Sequence, residues 1–160
     1  MAKKRRPLGL PKRIALIAHD NKKDDLLEWA EYNRDLLIKH ELYATGTTGY
    51  VLEKLLGLDI HRMQSGPLGG DLQIGAKIAT GEIDILIFFW DPLEAQPHDP
   101  DIKALLRLSV VWNIPVAMNR TSADFIFSSP LMESQYEHIA PDYEEYKERM
   151  SEQLRKLSED

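Results

Sequence analysis

Short runs of consecutive apolar residues alternate along the chain with longer stretches in which apolar residues recur every three or four positions. Arg13 to Ala18 (RIALIA) and Ile83 to Trp90 (IDILIFFW) are continuous enough to read as buried strands. Leu42 to Ala44, Ile60 to Met63 and Pro115 to Met118 read as three shorter ones. Between them, helical spacing predicts helices over 24–39, 50–56 with a C-cap at Gly57, 71–79 ending before Gly81, 100–112 opened by Pro100, and 121–128. A polar helix over 142–158 closes the sequence and is expected to dock through Tyr143, Tyr146, Met150 and Leu154. Strands buried on both faces and separated by helices imply an α/β fold: a single-domain three-layer sandwich with a five-stranded, mostly parallel, Rossmann-like sheet. The expected division is a basic N-terminal arm (1–12), the α/β domain (13–141) and a charged C-terminal helix (142–160) packing on that domain.

Composition narrows the chemistry more than the architecture. With 43% hydrophobic and 29% charged residues the chain is globular, not disordered. The absence of cysteine removes disulfides, thiolate nucleophiles and Cys-ligated zinc. The longest apolar run is broken by Asp84 and too short to cross a membrane, and no signal-peptide pattern is visible, so a cytoplasmic address with no membrane partner is expected. Six cations precede the first acidic residue, which leaves −12 on the remainder of a chain of net charge −6. Such an arm could contact nucleic acid. An acidic body argues against it, and a solvated tail ahead of the first strand is the expectation.

In a parallel sheet, ligands bind outside the carboxyl ends of the strands. Polar, glycine-bearing sequence falls there four times: His19 to Lys23, Thr45 to Gly49, Gln64 to Asp71, and Asp91 to Asp101. Thr45, Gly46, Thr47 and Thr48 have the make-up of an anion cradle at a helix N-terminus, or of an ordinary Thr-rich strand–helix turn. Ser65 and Gly66 could add a hydroxyl and an amide to the same anion, and Lys23 an ammonium. Asp71 follows a Gly69-Gly70 hinge, where it is either a general base or a helix cap. His98 stands among carboxylates at Asp99 and Asp101, an arrangement that can fix an imidazole. Asp20 and Asp91 complete the acidic set, which could also hold a divalent ion. No spaced ligand motif supports that, so no metal is expected.

Taken together these segments resemble methylglyoxal synthase. The resemblance rests on Ala18-His19-Asp20 with Lys23, Tyr43 to Gly49 (YATGTTG), Ser65 to Asp71 (SGPLGGD), Ile85 to Pro92 (ILIFFWDP), Pro97 to Leu108 (PHDPDIKALLRL), Trp112 to Ala117 (WNIPVA) and Thr121 to Phe125 (TSADF). It implies conversion of dihydroxyacetone phosphate to methylglyoxal and inorganic phosphate through an enediolate, without metal or cofactor, by a cytosolic homohexamer inhibited by phosphate. It implies Asp71 as base and His98 as a second catalytic group. Substrate and phosphate contacts then fall to His19, Lys23, Thr45, Gly46, Thr47, Thr48, Ser65 and Gly66, with Asp20, Asp91 and Asp101 as supporting carboxylates that orient His19 or His98 or stay protonated. The same fold resembles the allosteric domain of carbamoyl phosphate synthetases, which offers the alternative of a non-catalytic phosphate-ligand sensor. A sensor needs the cradle but has no use for Asp71 and His98 together. A metal-dependent phosphatase is a third reading, one that a chelator would abolish.

Overall fold

Strands with no polar face must be covered on both sides, and helices alternate with them along the chain to do so. A computed structural model describes residues 3–159. In chain order the elements are β1 (Lys3–Leu8), β2 (Arg13–Ala18), α1 (Lys23–Tyr32), α2 (Arg34–Leu37), β3 (Glu41–Ala44), α3 (Gly46–Leu56), β4 (Ile60–Arg62), α4 (Gly70–Ala79), β5 (Ile85–Phe89), α5 (Asp99–Val111), β6 (Val116–Ala117), α6 (Arg120–Phe127), β7 (Tyr136–Pro141) and α7 (Glu144–Ser158). Short 3-10 turns occupy Asp20–Lys22, Gly66–Leu68 and Pro130–Glu133.

The main sheet has five strands in the order β4-β3-β2-β5-β6, and every neighbouring pair is parallel. Successive residues of β2 point to opposite faces. Ile14 and Leu16, with Ile85, Ile87 and Phe89 of β5, pack with Leu26 and Trp29 of α1, Leu52 of α3 and Phe127 of α6. Ala15 and Ile17, with Leu86 and Phe88, meet Ile74 and Ile78 of α4 and Ile102 and Leu105 of α5. Trp29 sets the first layer: its ring meets Phe127 edge-on at 4.8 Å and its Nε1 donates to Asp124 at 3.0 Å.

From β2 the chain winds outward through β3 and β4 on one side. It then returns to lay β5 and β6 on the other. The strand order therefore reverses between β2 and β5, which are paired over Ile14–Ala18 and Ile85–Phe89. Such a switch point opens a crevice at the carboxyl ends of the two strands, because the following connections leave in opposite directions.

Four features differ from the sequence expectation. Lys3–Leu8, expected as a solvated tail, forms a two-stranded antiparallel ribbon with β7, whose partner residues include Arg6↔His138. The single helix expected over 24–39 is interrupted at Asn33, whose side-chain amide donates to the Trp29 carbonyl at 2.9 Å. Helix α3 begins at Gly46, four residues before its apolar periodicity does: Gly46-Thr47-Thr48-Gly49 are weak helix formers, but Gly46 N–H is tied to the Gln64 carbonyl and Gly49 N–H to the Thr45 carbonyl. The C-terminal helix is where expected, but its docking is not. No residue of α7 is buried; Tyr146, Met150 and Leu154 are exposed, while Tyr143 at its N-cap meets the body, tilted against Trp112 at 5.2 Å. Among the described residues no helix is long and apolar enough to cross a membrane.

Candidate active site

At the switch point a cleft of about 210 Å³ is lined by His19, Asp20 and Lys23 after β2, Thr45, Thr47 and Thr48 after β3, Ser65, Gly66 and Asp71 after β4, and His98 after β5. Four connections thus converge on one crevice, as the loop sequences predict.

The cradle is the N-terminus of α3. Thr45 is its N-cap, in extended conformation and without a side-chain cap bond, and the first bond of the helix runs from Gly49 N–H to the Thr45 carbonyl at 2.8 Å. The amides of Thr47 and Thr48, in the first turn, have no intrahelical acceptor and, with the positive end of the helix dipole, are placed to receive an anion. Gly46 departs from its expected place. It does not line the cleft, and its N–H is spent on the Gln64 carbonyl at 3.1 Å, so it fastens the cradle to the Ser65 loop. Lys23 is the first residue of α1, and its ammonium binds Asp20 at 2.6 Å. This contact holds Asp20 below the usual carboxylate range.

Asp71 lies in the first turn of α4 and is 1% exposed. The preceding residues put it there: Gly69 adopts a left-handed φ of 99°, and a Cβ at Gly70 would stand 1.9 Å from the Gln64 carbonyl oxygen. Asp71 does not cap its helix. Neither carboxylate oxygen has a hydrogen-bond partner. Burial pushes its pKa up; the charge of His98 opposes that and the charge of Asp101 reinforces it. A buried, unpartnered carboxylate with a raised pKa is suited to accept a proton.

His98, at the N-cap of α5, brings Nε2 to 3.5 Å from Asp71 Oδ2, while its Nδ1 is buried without a partner. The approach depends on Gly66, where a Cβ would lie 2.8 Å from His98 Nε2. His19 is a second imidazole in the cleft, its ring edge-on to His98 with centroids 5.9 Å apart. The backbone N–H of Asp91 donates to His19 Nδ1 at 3.0 Å. In the neutral ring the proton is therefore on Nε2, which is buried and unpartnered. Burial, then the neighbouring charge of His98, lower the His19 pKa and favour that neutral form.

The three supporting carboxylates divide. Asp20 lines the cleft on Lys23. Asp91 does not touch His19 with its carboxylate. That group accepts from Leu93 N–H (2.9 Å) and Asn21 Nδ2 (3.0 Å), bonds that keep its pKa low and shape the turn so that its backbone N–H reaches the imidazole. Asp101 lies outside the cleft lining, in the first turn of α5, and acts on Asp71 through its charge. Gln96 and Pro67 also line the cleft and were not singled out from sequence. Gln96 sits in the long Asp91–Asp101 connection, whose carboxyl-end position was the available signal. Among the described residues no three acidic or imidazole side chains converge as a metal-ligand cluster.

A doubly wound α/β domain whose switch-point crevice combines a helix-N-terminal anion cradle with a buried carboxylate and two imidazoles defines a class of protein that handles a small phosphorylated substrate. Residues 25–118 match the family model of the MGS-like domain. The chain is 60% identical over 139 residues to methylglyoxal synthase of Coxiella burnetii (strain Dugway 5J108-111), covering 87% of this chain and 97% of that one. It is 60% identical over 146 residues to methylglyoxal synthase of Saccharophagus degradans, covering 91% and 93%. A crystal structure of methylglyoxal synthase from Elizabethkingia anophelis NUHP1 superposes with a TM-score of 0.84 at 56% identity, over 89% of this chain and 94% of that one. The chain belongs to the MGS-like domain family.

Proposed function

We propose that this chain catalyses the methylglyoxal synthase reaction, a carbon–oxygen lyase step that takes dihydroxyacetone phosphate to methylglyoxal and inorganic phosphate. The observation that carries the proposal is Asp71, buried without a hydrogen-bond partner and 3.5 Å from His98 in a cleft that ends in an anion cradle.

The phosphate docks on the Thr47 and Thr48 amides and the hydroxyls of Thr45 and Ser65, with Lys23 balancing its charge. Asp71 removes a proton from the hydroxymethyl carbon, and the C–H electron pair forms a C=C bond to the carbonyl carbon as its oxygen becomes an oxyanion. His19 Nε2–H and His98 are the donors for that oxygen; such placed donors in a closed site each contribute about 3 kcal/mol. His98 carries the proton of the hydroxyl on the deprotonated carbon to the departing phosphate, and that oxygen forms the aldehyde C=O. The C=C pair shifts to the phosphate-bearing carbon as the ester C–O bond, held out of the enediolate plane by the cradle, breaks. The enolate left behind takes the proton from Asp71 on its terminal carbon, its oxygen re-forms the ketone, and the product is methylglyoxal. The pairing of a carboxylate base with a neutral histidine electrophile follows the pattern of triosephosphate isomerase for the first step. Phosphate, as product and occupant of the cradle, inhibits. A homohexamer, a cytoplasmic address, and the absence of a metal, cofactor, nucleic-acid or membrane partner belong to the same proposal.

The test is a coupled assay of phosphate and methylglyoxal release from dihydroxyacetone phosphate with a chelator present. Equimolar release is expected, and Asp71→Asn should lower kcat by about 10³-fold or more while phosphate binding persists. Phosphate binding without turnover in the unmodified chain would overturn the lyase in favour of a sensor, and loss of turnover in chelator would favour the phosphatase.

A further inference from the structure

A second cavity, of about 360 Å³, lies at the opposite end of the sheet, where β2 and β5 begin. Its volume falls within the range of about 300–1,000 Å³ common to small-ligand sites. The walls are mainly apolar, with Leu8, Ile114, Ile126 and Met132 among them, and two buried basic side chains, Lys12 and His138, complete it. The β1–β7 ribbon supplies Leu8, Tyr136 and His138, so the cavity exists because the N-terminal segment folds back over the sheet.

Lys12 is the unusual group. Its side chain is among the most deeply buried in the protein, at 2% exposure. Nζ donates to the carbonyls of Leu8 (2.9 Å) and Ser134 (2.6 Å), which occupies two of its three hydrogens. Among the described residues no carboxylate pairs with it. Asp84, whose charge reaches Lys12, is itself held by Arg13 at 2.8–3.2 Å. Burial accordingly lowers the Lys12 pKa. A buried cation with carbonyl partners but no counter-ion is costly, and an anion delivered beside it relieves that cost. His138 has committed Nδ1 to the Arg6 carbonyl at 2.9 Å and serves as wall.

We propose that this cavity binds a small amphipathic monocarboxylate, its carboxylate taken by the remaining hydrogen of Lys12 Nζ and its hydrocarbon tail lying along Leu8, Ile114, Ile126 and Met132. A single ammonium on mainly apolar walls suits a monoanion with a tail better than a phosphate, which needs several donors converging on it.

Octanoate is the probe, titrated calorimetrically into the full-length protein, with octanol and inorganic phosphate as comparators. Saturable binding of one octanoate per chain is expected, at least tenfold tighter than octanol and not displaced by phosphate. Lys12→Met should weaken it at least tenfold. Because Lys12 also ties two carbonyls, a second variant, Met132→Trp, fills the cavity while leaving the ammonium in place. It too should lose octanoate but retain phosphate binding at the cleft. Absence of saturable binding, equal affinity for octanol, displacement by phosphate, or full octanoate affinity in Met132→Trp would each overturn the proposal.

Discussion

At the start of β2, Arg13 grips Asp84 through its backbone N–H and its guanidinium, and Lys12 and His138 are bonded to backbone carbonyls. At the other end of the same strand, His19 Nε2, His98 Nδ1 and both oxygens of Asp71 are buried with no partner. Each unmet group costs about 1–3 kcal/mol relative to a satisfied one. On the proposed function, a substrate arriving in the cleft supplies the missing partners and offsets that cost. Polar groups at the amino end hold the sheet together, and those at the carboxyl end are left open for chemistry.

Mutations at the two ends should therefore change stability with opposite sign. The largest stability effect is expected from Asp84→Ala, which strands the Arg13 guanidinium. Asp84 is buried while Arg13 is about a third exposed (side-chain exposures 3% and 32%), so the loss should be about 2–3 kcal/mol, below that of a fully buried pair. Denaturant unfolding would show it, with kcat unchanged below the transition; lost turnover in the folded variant would couple the two ends.

Asp71→Asn, although catalytically crippled, should be more stable than the parent by about 1 kcal/mol at neutral pH. The sign follows from the raised pKa. The folded chain holds the Asp71 proton to higher pH than the unfolded chain does, so stability is greatest below the ordinary carboxylate pKa and is lost as pH rises through the folded value. Unfolding midpoints at acid and neutral pH should fall in the parent and stay level, for this group, in the variant. A less stable variant at neutral pH would mean that Asp71 has a partner after all.

The smallest effect is expected at Asp101, whose charge adds to burial in raising Asp71. Asp101→Asn should move the acid limb of the kcat/KM profile to lower pH. A limb that stays in place would leave burial as the only cause of the shift.

The readable parts of the sequence were those whose cause is local. β2 and β5 announce themselves as unbroken apolar runs, and the Gly69-Gly70 hinge marks Asp71 as specially placed. Lys3–Leu8 could not be read as a strand, because four of its six residues are cations and its partner strand begins at Tyr136, far along the chain. The exposed apolar positions of α7 show the reverse failure: amphipathic spacing specifies a helix but not what it packs on. At the site, residue types were legible and bonding states were not. Nothing in the sequence distinguishes an Asp71 that caps α4 from one left bare, or shows that Asp91 serves His19 through its backbone and not its carboxylate. Gly46 was misplaced for a related reason: whether an amide is free depends on a carbonyl, that of Gln64, brought beside it by another strand.

The bond from Asp91 N–H to His19 Nδ1 spans 72 residues of chain and forms only when β5 has taken its place beside β2. Until that pairing is made, the threonine cradle can exist as a local turn while the imidazole opposite it is free to carry its proton on either nitrogen. Contacts this distant in sequence are slow to close. Activity should therefore appear late in refolding, after most helical signal has returned, so that a nascent or nicked chain can hold phosphate before it can turn over substrate.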